Sequence, residues 1–140
     1  MDLIRRDTDY AFRLAAVLAQ QNGSDKALSA NRLAKQTHVS YALTCKILQK
    51  MAHAGIVEST MGPKGGWKLA KSAEKIQFGQ LIEAIQGPVA VNRCLLGDFK
   101  CPLKHQCPAH PKMAVLQNRI DGFLKELTLQ EFVKEESENE

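Results

Sequence analysis

The sequence predicts a mainly α chain with one small two-stranded β-ribbon and a long C-terminal helix. Three observations predict it. Apolar residues recur at steps of three and four through most of the 140 residues. The period breaks only at IVEST (56–60) and WKLAK (67–71), which have the length and composition of short strands. Between them, MGPKGG supplies Gly62, Pro63, Gly65 and Gly66, the residues of a tight turn.

Taken in order, TDYAFRLAAVLAQQ (8–21) places Tyr10, Leu14, Val17 and Leu18 on one helical face, and Asn22-Gly23 ends it. Ser29 caps a short helix through Gln36, with Leu33 and Ala34 inward. Thr37–Val39 forms a tight corner. Ser40 caps a helix over 41–54 that buries Leu43, Ile47, Leu48 and Met51, and Gly55 suits the left-handed position that closes it. After the ribbon, Phe78, Leu81, Ile82 and Ile85 have helical spacing, stopped by Gly87-Pro88. Met113, Leu116, Ile120, Phe123 and Leu127 then form a narrow stripe along one long helix. Thr128 and Glu131 make a T-x-x-E capping box for a final short helix containing Phe132. EESENE is charged and poor in apolar residues, which predicts disorder.

Apolar residues make up 44% of the chain, enough for a core. No apolar run approaches the roughly 20 residues that span a bilayer. The opening MDLIRRDTDY has no apolar stretch of the signal-peptide kind, so a cytoplasmic protein without a membrane partner is expected. The net charge of +4 is uneven: residues 1–71 carry +6 and residues 72–140 carry −2. A basic first half suits a polyanionic partner.

Helix, short helix, corner, helix and glycine-tipped ribbon is the order of a winged helix-turn-helix. The helix over 41–54 fits a major groove about 12 Å wide. Its N-terminus directs free N–H groups at phosphate. Ser40, Tyr41 and Thr44 stand at its start, with Lys46 and Lys50 expected on its outward face. The wing tip Lys64-Gly65-Gly66 has little bulk, so its backbone is expected to approach a minor groove, with Lys64 near phosphate. The same architecture also serves as a protein-interaction module. Cys45, one step off the buried face, is expected to be a passive thiol.

Three of the four cysteines crowd into CLLGDFKCPLKHQCPAHP (94–111), as Cys94, Cys101 and Cys107, with His110 three residues beyond. In a reducing compartment, where disulfides are rare, such clustering points to a metal or redox site. Thiolates suit zinc or an iron–sulfur cluster, and three leave one vacancy that His110 is nearest to fill. The gaps of six and five lack the C-x-x-C pairs of zinc ribbons, although a zinc staple remains an alternative. Pro108 or Pro111 opens the long helix, whose dipole would favour thiolate at Cys107. His105 reads as an exposed loop residue; Lys100 and Lys104 would offset thiolate charge. No G-x-S-x-G, Walker loop, dinucleotide fingerprint or paired catalytic carboxylates accompany these residues, so an enzyme is not expected.

Together, TDYAFRL, VSYALTCKILQKMAHAGIV, GPKGGWKLAK, the three-cysteine loop and TLQEF resemble the bacterial family of iron–sulfur winged-helix transcriptional regulators, over residues 3–133. The resemblance implies a homodimer joined through the long helix, reading a pseudo-palindromic double-stranded operator, expected to act as a repressor. It implies one cluster per subunit on Cys94, Cys101 and Cys107. In members of the iron–sulfur-assembly type, the fourth ligand falls on His110 and the cluster is [2Fe-2S], the favoured assignment. In members of the nitric-oxide-sensing type it falls on Asp9, supplied to the partner subunit, and the cluster is [4Fe-4S]. A plain acid at a helix start is the structural alternative for Asp9. Iron, cluster status, nitric oxide and redox state are the effectors implied. The expected division is a winged helix-turn-helix unit over 1–87, a cluster-binding loop over 88–111, a dimerisation helix and short terminal helix over 112–133, and an acidic disordered tail over 134–140. Two residues depart from the pattern: Met61 replaces an arginine before the wing glycine, which would shift its role to Lys64 and Lys68, and Asp2 replaces a basic residue.

Overall fold

The structure, a computed structural model, describes residues 2–21 and 26–138, with side chains through Val133. The stop at Asn22-Gly23 and the last two residues of the acidic tail lie outside the described residues. Six helices and one two-stranded sheet make up the described fold.

Helix α1 (Arg6–Gln20) carries Asp7 and Asp9 in its first turn, where carboxylates complement the positive dipole end. Its buried face is Thr8, Ala11, Leu14, Ala15, Leu18 and Ala19. Tyr10 and Val17, expected inside, are only half-buried; the small alanines let neighbouring helices come close and take the central stripe. Helix α2 (Ala30–Thr37) is capped by Ser29, whose Oγ accepts from the Arg32 N–H at 3.2 Å. It ends at His38, whose φ of 56° and ψ of 38° are left-handed. That conformation makes the tight corner and is unusual for a non-glycine residue. Helix α3 (Tyr41–His53) starts from Ser40, which accepts from the Leu43 N–H at 3.3 Å. Gly55, at φ 74°, turns the chain out of it.

Strands β1 (Val57–Thr60) and β2 (Gly66–Leu69) pair antiparallel, Val57 opposite Leu69 and Thr60 opposite Gly66. Leu28 adds an isolated third rung: its N–H donates to the Trp67 carbonyl at 2.9 Å and its carbonyl accepts from the Trp67 N–H at 2.7 Å. The wing is therefore stitched to the segment that enters α2.

Helix α4 (Phe78–Gln86) begins where Gln80 Oε1 accepts from the Gln77 N–H at 3.0 Å. A loop containing a short 3-10 turn at Arg93–Leu95 leads to α5 (His110–Glu126), with Pro111 in its first turn. Helix α6 (Leu129–Glu138) folds back onto α1. Glu131 accepts from the Thr128 N–H at 3.2 Å, as the capping-box spacing predicts. The backbone of α6 is helical through Glu138.

The core joins α1, α2, α3, α4 and the wing base through Leu14, Leu33, Ile47, Leu48, Met51, Ile56, Ile76 and Leu81. Phe78 stacks between Phe12, at 4.0 Å between centroids, and Phe132, at 4.8 Å. Two backbone bonds, Phe78 N–H to Leu127 O at 2.8 Å and Leu129 N–H to Ile76 O at 2.9 Å, fasten the end of α5 to this core. By contrast α5 buries no residue at all, and Val115, Leu116 and Phe123 remain 50%, 46% and 61% exposed. No helix among the described residues is long and apolar enough to cross a membrane.

Candidate nucleic-acid interface and cysteine loop

The helix-turn-helix corner presents the N-terminus of α3 to solvent. Ser40 spends its hydroxyl on the cap. Tyr41 is 58% exposed, and a hydrogen bond with the Cys45 side chain one turn on raises its phenol above the usual value. Cys45 is half-buried and Lys46 is exposed. Two expected DNA-facing residues turn away. Thr44 is fully buried, because it falls on the same stripe as Ile47, Leu48 and Met51, and its Oγ1 has no hydrogen-bond partner in the described structure. Lys50 is half-buried and reaches the Ile85 carbonyl at 3.5 Å, since it lies on the side of α3 that packs on α4.

At the wing, Lys64 is exposed and Met61 is 98% exposed. Lys68 pairs across the ribbon with Glu58 at 3.5 Å, so it is partly committed within the protein. The glycines have internal reasons. A Cβ on Gly65 would lie 2.3 Å from the Thr60 carbonyl oxygen, and one on Gly66 2.5 Å from that of Leu28. Their smallness therefore makes the turn and admits the Leu28 rung, whatever it also does at a groove.

The Leu28 rung brings together cations that sequence reasoning left apart. Lys26, Ser29, Arg32 and Lys64 line one cleft between the wing tip and the start of α2. Lys26 and Arg32 went unnoticed because 32 residues or more separate them from Lys64; only the Leu28–Trp67 pairing unites them.

The T-D-Y stretch is accounted for locally. The Thr8 hydroxyl donates to Gln86 Oε1 at 2.7 Å. Asp9 is exposed and pairs with Arg13 at 2.8 Å. Tyr10 accepts from Arg6 Nε at 2.8 Å, with the Arg13 guanidinium over its ring at 5.3 Å.

In the loop, Cys94, Cys101 and Cys107 are half-buried free thiols. Cys94 sits in the 3-10 turn, Cys101 opens a turn closed by the Lys104 N–H, and the Cys107 N–H donates to Leu103 O. Arg93 lies over the Phe99 ring at 5.0 Å, bridging the stretch beyond Cys94. His110 is the first residue of α5, half-buried, whereas Lys100, Lys104 and His105 are exposed. The donor chemistry, three soft sulfurs with an imidazole at the same helix start, fits an iron–sulfur group. Among the described residues no three His, Cys, Asp or Glu side chains are grouped as a metal site, so these donors share one loop without being gathered.

Comparison with known proteins gives the family of the chain. The chain is 29% identical to the transcriptional repressor NsrR of Streptomyces coelicolor, over 90% of this chain and 84% of that one. It is 31% identical to the transcriptional regulator IscR of Escherichia coli O1:K1, over 72% of this chain and 62% of that one. The fold superposes on CymR, the global cysteine regulator of Bacillus subtilis, with a TM-score of 0.76 at 22% identity, covering 96% of this chain and 98% of that one. A family model described as an iron-dependent transcriptional regulator matches residues 4–135. With that match spanning nearly the whole winged-helix and cysteine-loop architecture, the chain belongs to the Rrf2 family of transcriptional regulators.

Proposed function

We propose that this protein is a DNA-binding repressor whose grip on a pseudo-palindromic operator depends on an iron–sulfur cluster. The observation that carries this reading is the set of three free, half-buried thiols in the loop directly preceding α5, in a member of an iron-dependent regulator family. Cys94, Cys101 and Cys107 hold the cluster. His110 is the fourth ligand, with [2Fe-2S], because it stands three residues beyond Cys107 at the start of α5, whereas Asp9 lies on α1, exposed and paired with Arg13. When bound, the group supplies a cross-link between thiolates that is sensitive to iron supply and redox state.

The DNA face consists of Ser40, Tyr41 and Lys46 on α3, with Lys64, Gly65 and Gly66 on the wing. Lys26 and Arg32 add phosphate contacts beside the wing. Two copies associate through α5, whose apolar residues Val115, Leu116 and Phe123 are left about half exposed or more within the described subunit. A dimer of this kind reads two half-sites about 34–36 Å apart, so a small tilt of one head changes affinity.

Anaerobic purification tests the reading. Wild type should be coloured, contain iron, and show visible absorbance and a paramagnetic signal on reduction. His110→Ala should change that spectrum while Asp9→Ala preserves it. Affinity for a duplex selected from a random pool with the wild-type protein should change about tenfold, or 1.4 kcal/mol, when iron is stripped. Colourless protein containing zinc would instead establish a structural staple. Identical affinity with and without iron would end the regulatory reading.

A further inference from the structure

Gln117 stands on α5 between residues of the exposed apolar stripe, yet it is half-buried and its amide is used at both ends. Oε1 accepts from the Val91 N–H at 2.7 Å. Nε2 donates to the Val89 carbonyl and to Asp121 Oδ1, both at 2.8 Å. A primary amide has two N–H donors, so Gln117 has none left over. The Asp121 carboxylate, which only accepts when ionised, fixes the amide orientation with oxygen toward Val91.

The backbone it grips has no regular structure of its own. Residues 88–92 follow the left-handed Gly87 and run into the turn bearing Cys94. Nor is this segment packed solid on the stalk. A cleft of about 380 Å³, bounded by Val89, Leu95, Leu96 and Leu124, lies beside it, with Gln117 and Asp121 on the wall. Beside that cleft, two directional hydrogen bonds with Gln117 fasten it to α5.

We infer that Gln117 is a positioning residue: a latch that fastens the entry of the cysteine loop to α5 and passes the state of Cys94 to the helix. The inference deepens the proposed function and rests on it. Cys94 lies three positions beyond Val91, with only Asn92 and Arg93 between them, and an extended chain covers at most about 3.6 Å per residue. A Cys94 displacement that takes up the slack of this short tether pulls on the latch. The helix it pulls spans 17 residues, and its far end is bonded to the core at Phe78 and Ile76. From Gln117 to Glu126 is nine residues, so at about 1.5 Å per residue it carries that pull about 14 Å to the head.

The test compares wild type, Gln117→Leu and Asp121→Ala, each iron-loaded and then iron-stripped. Two readouts are taken: amide hydrogen exchange over 88–96, and affinity for the duplex selected with wild type. In the iron-stripped protein, Gln117→Leu should exchange the Val91 amide about tenfold faster. It should still load iron, because the three cysteines remain. Its stripped-form affinity should stay within about twofold of wild type, while the loaded-to-stripped ratio falls toward one, where linked sites usually show about 5–150-fold. Asp121→Ala, which keeps the amide but frees its orientation, should shift both readouts in the same direction by less, and it substitutes should Gln117→Leu not fold. A variant with loosened exchange but the wild-type ratio overturns the relay, and unchanged exchange overturns the latch itself. If wild type shows no ratio to lose, the regulatory reading has failed and the relay with it, while exchange at Val91 still reports on the latch.

Discussion

Replacing Gly66 with alanine should destabilise the protein before it affects any DNA contact. The added Cβ would lie 2.5 Å from the Leu28 oxygen and 2.6 Å from its carbonyl carbon, both backbone atoms that a rotamer change cannot move. Gly66 also sits at φ 152°, a conformation that costs a residue bearing Cβ. Relief requires Leu28 to move off Trp67, losing the 2.9 and 2.7 Å hydrogen bonds. At about 1 kcal/mol each, these contribute roughly 2 kcal/mol, and the forced backbone adds about 1–3 kcal/mol. The sum, about 3–5 kcal/mol, is a large part of the 5–15 kcal/mol typical of a domain. With a urea slope of about 1–3 kcal/mol per molar, the unfolding midpoint should fall by at least about 1 M at fixed protein concentration. Gly62→Ala is the matched control: it has φ 101° but nothing within 4 Å, so it carries only the conformational cost and must lose less. An unchanged Gly66→Ala midpoint combined with lost duplex affinity would refute the argument, since the glycine would then serve groove approach alone.

Other consequences are equally direct. Thr44→Val removes a buried hydroxyl with no partner and should stabilise by about 1 kcal/mol in the same melt with duplex affinity intact; a selective loss of binding would restore Thr44 to the DNA face. Lys64→Ala should reduce the slope of log affinity against log salt by about 1 and weaken binding uniformly across sequences, while a sequence-dependent loss would place Lys64 against bases. Phe123→Glu puts a carboxylate into the proposed dimer face, a cost of several kcal/mol, so sedimentation should show dissociation weakened dimers by about 100-fold or more; an unchanged dimer would relocate the interface.

The glycine-rich wing turn, the Ser29 and Ser40 caps and the helical periods were legible in the sequence because each is a local matter of backbone conformation and spacing. The Thr128-Glu131 box was legible for the same reason. The long-helix stripe announced itself by its period, although not that Leu116 and Phe123 would stay open to solvent. Thr44 and Lys50 were misjudged because the facing of a helix depends on which neighbours cover it, and α4 covers the side on which Lys50 lies.

The functional site divides the same way. Cys94, Cys101, Cys107 and His110 are close in the chain, so their shared chemistry is written in the order of residues itself. The cationic cleft of Lys26, Arg32 and Lys64, the Gln117 grip on Val89 and Val91, and the reason for Gly66 each join residues more than 25 positions apart. Such contacts form only when the chain closes long loops, and one-dimensional spacing carries no record of which loops close. The sequence alone thus determined the elements and the candidate donor chemistry, whereas tertiary packing decided which faces remained free and which hydrogen bonds fasten the start of the cysteine loop to α5.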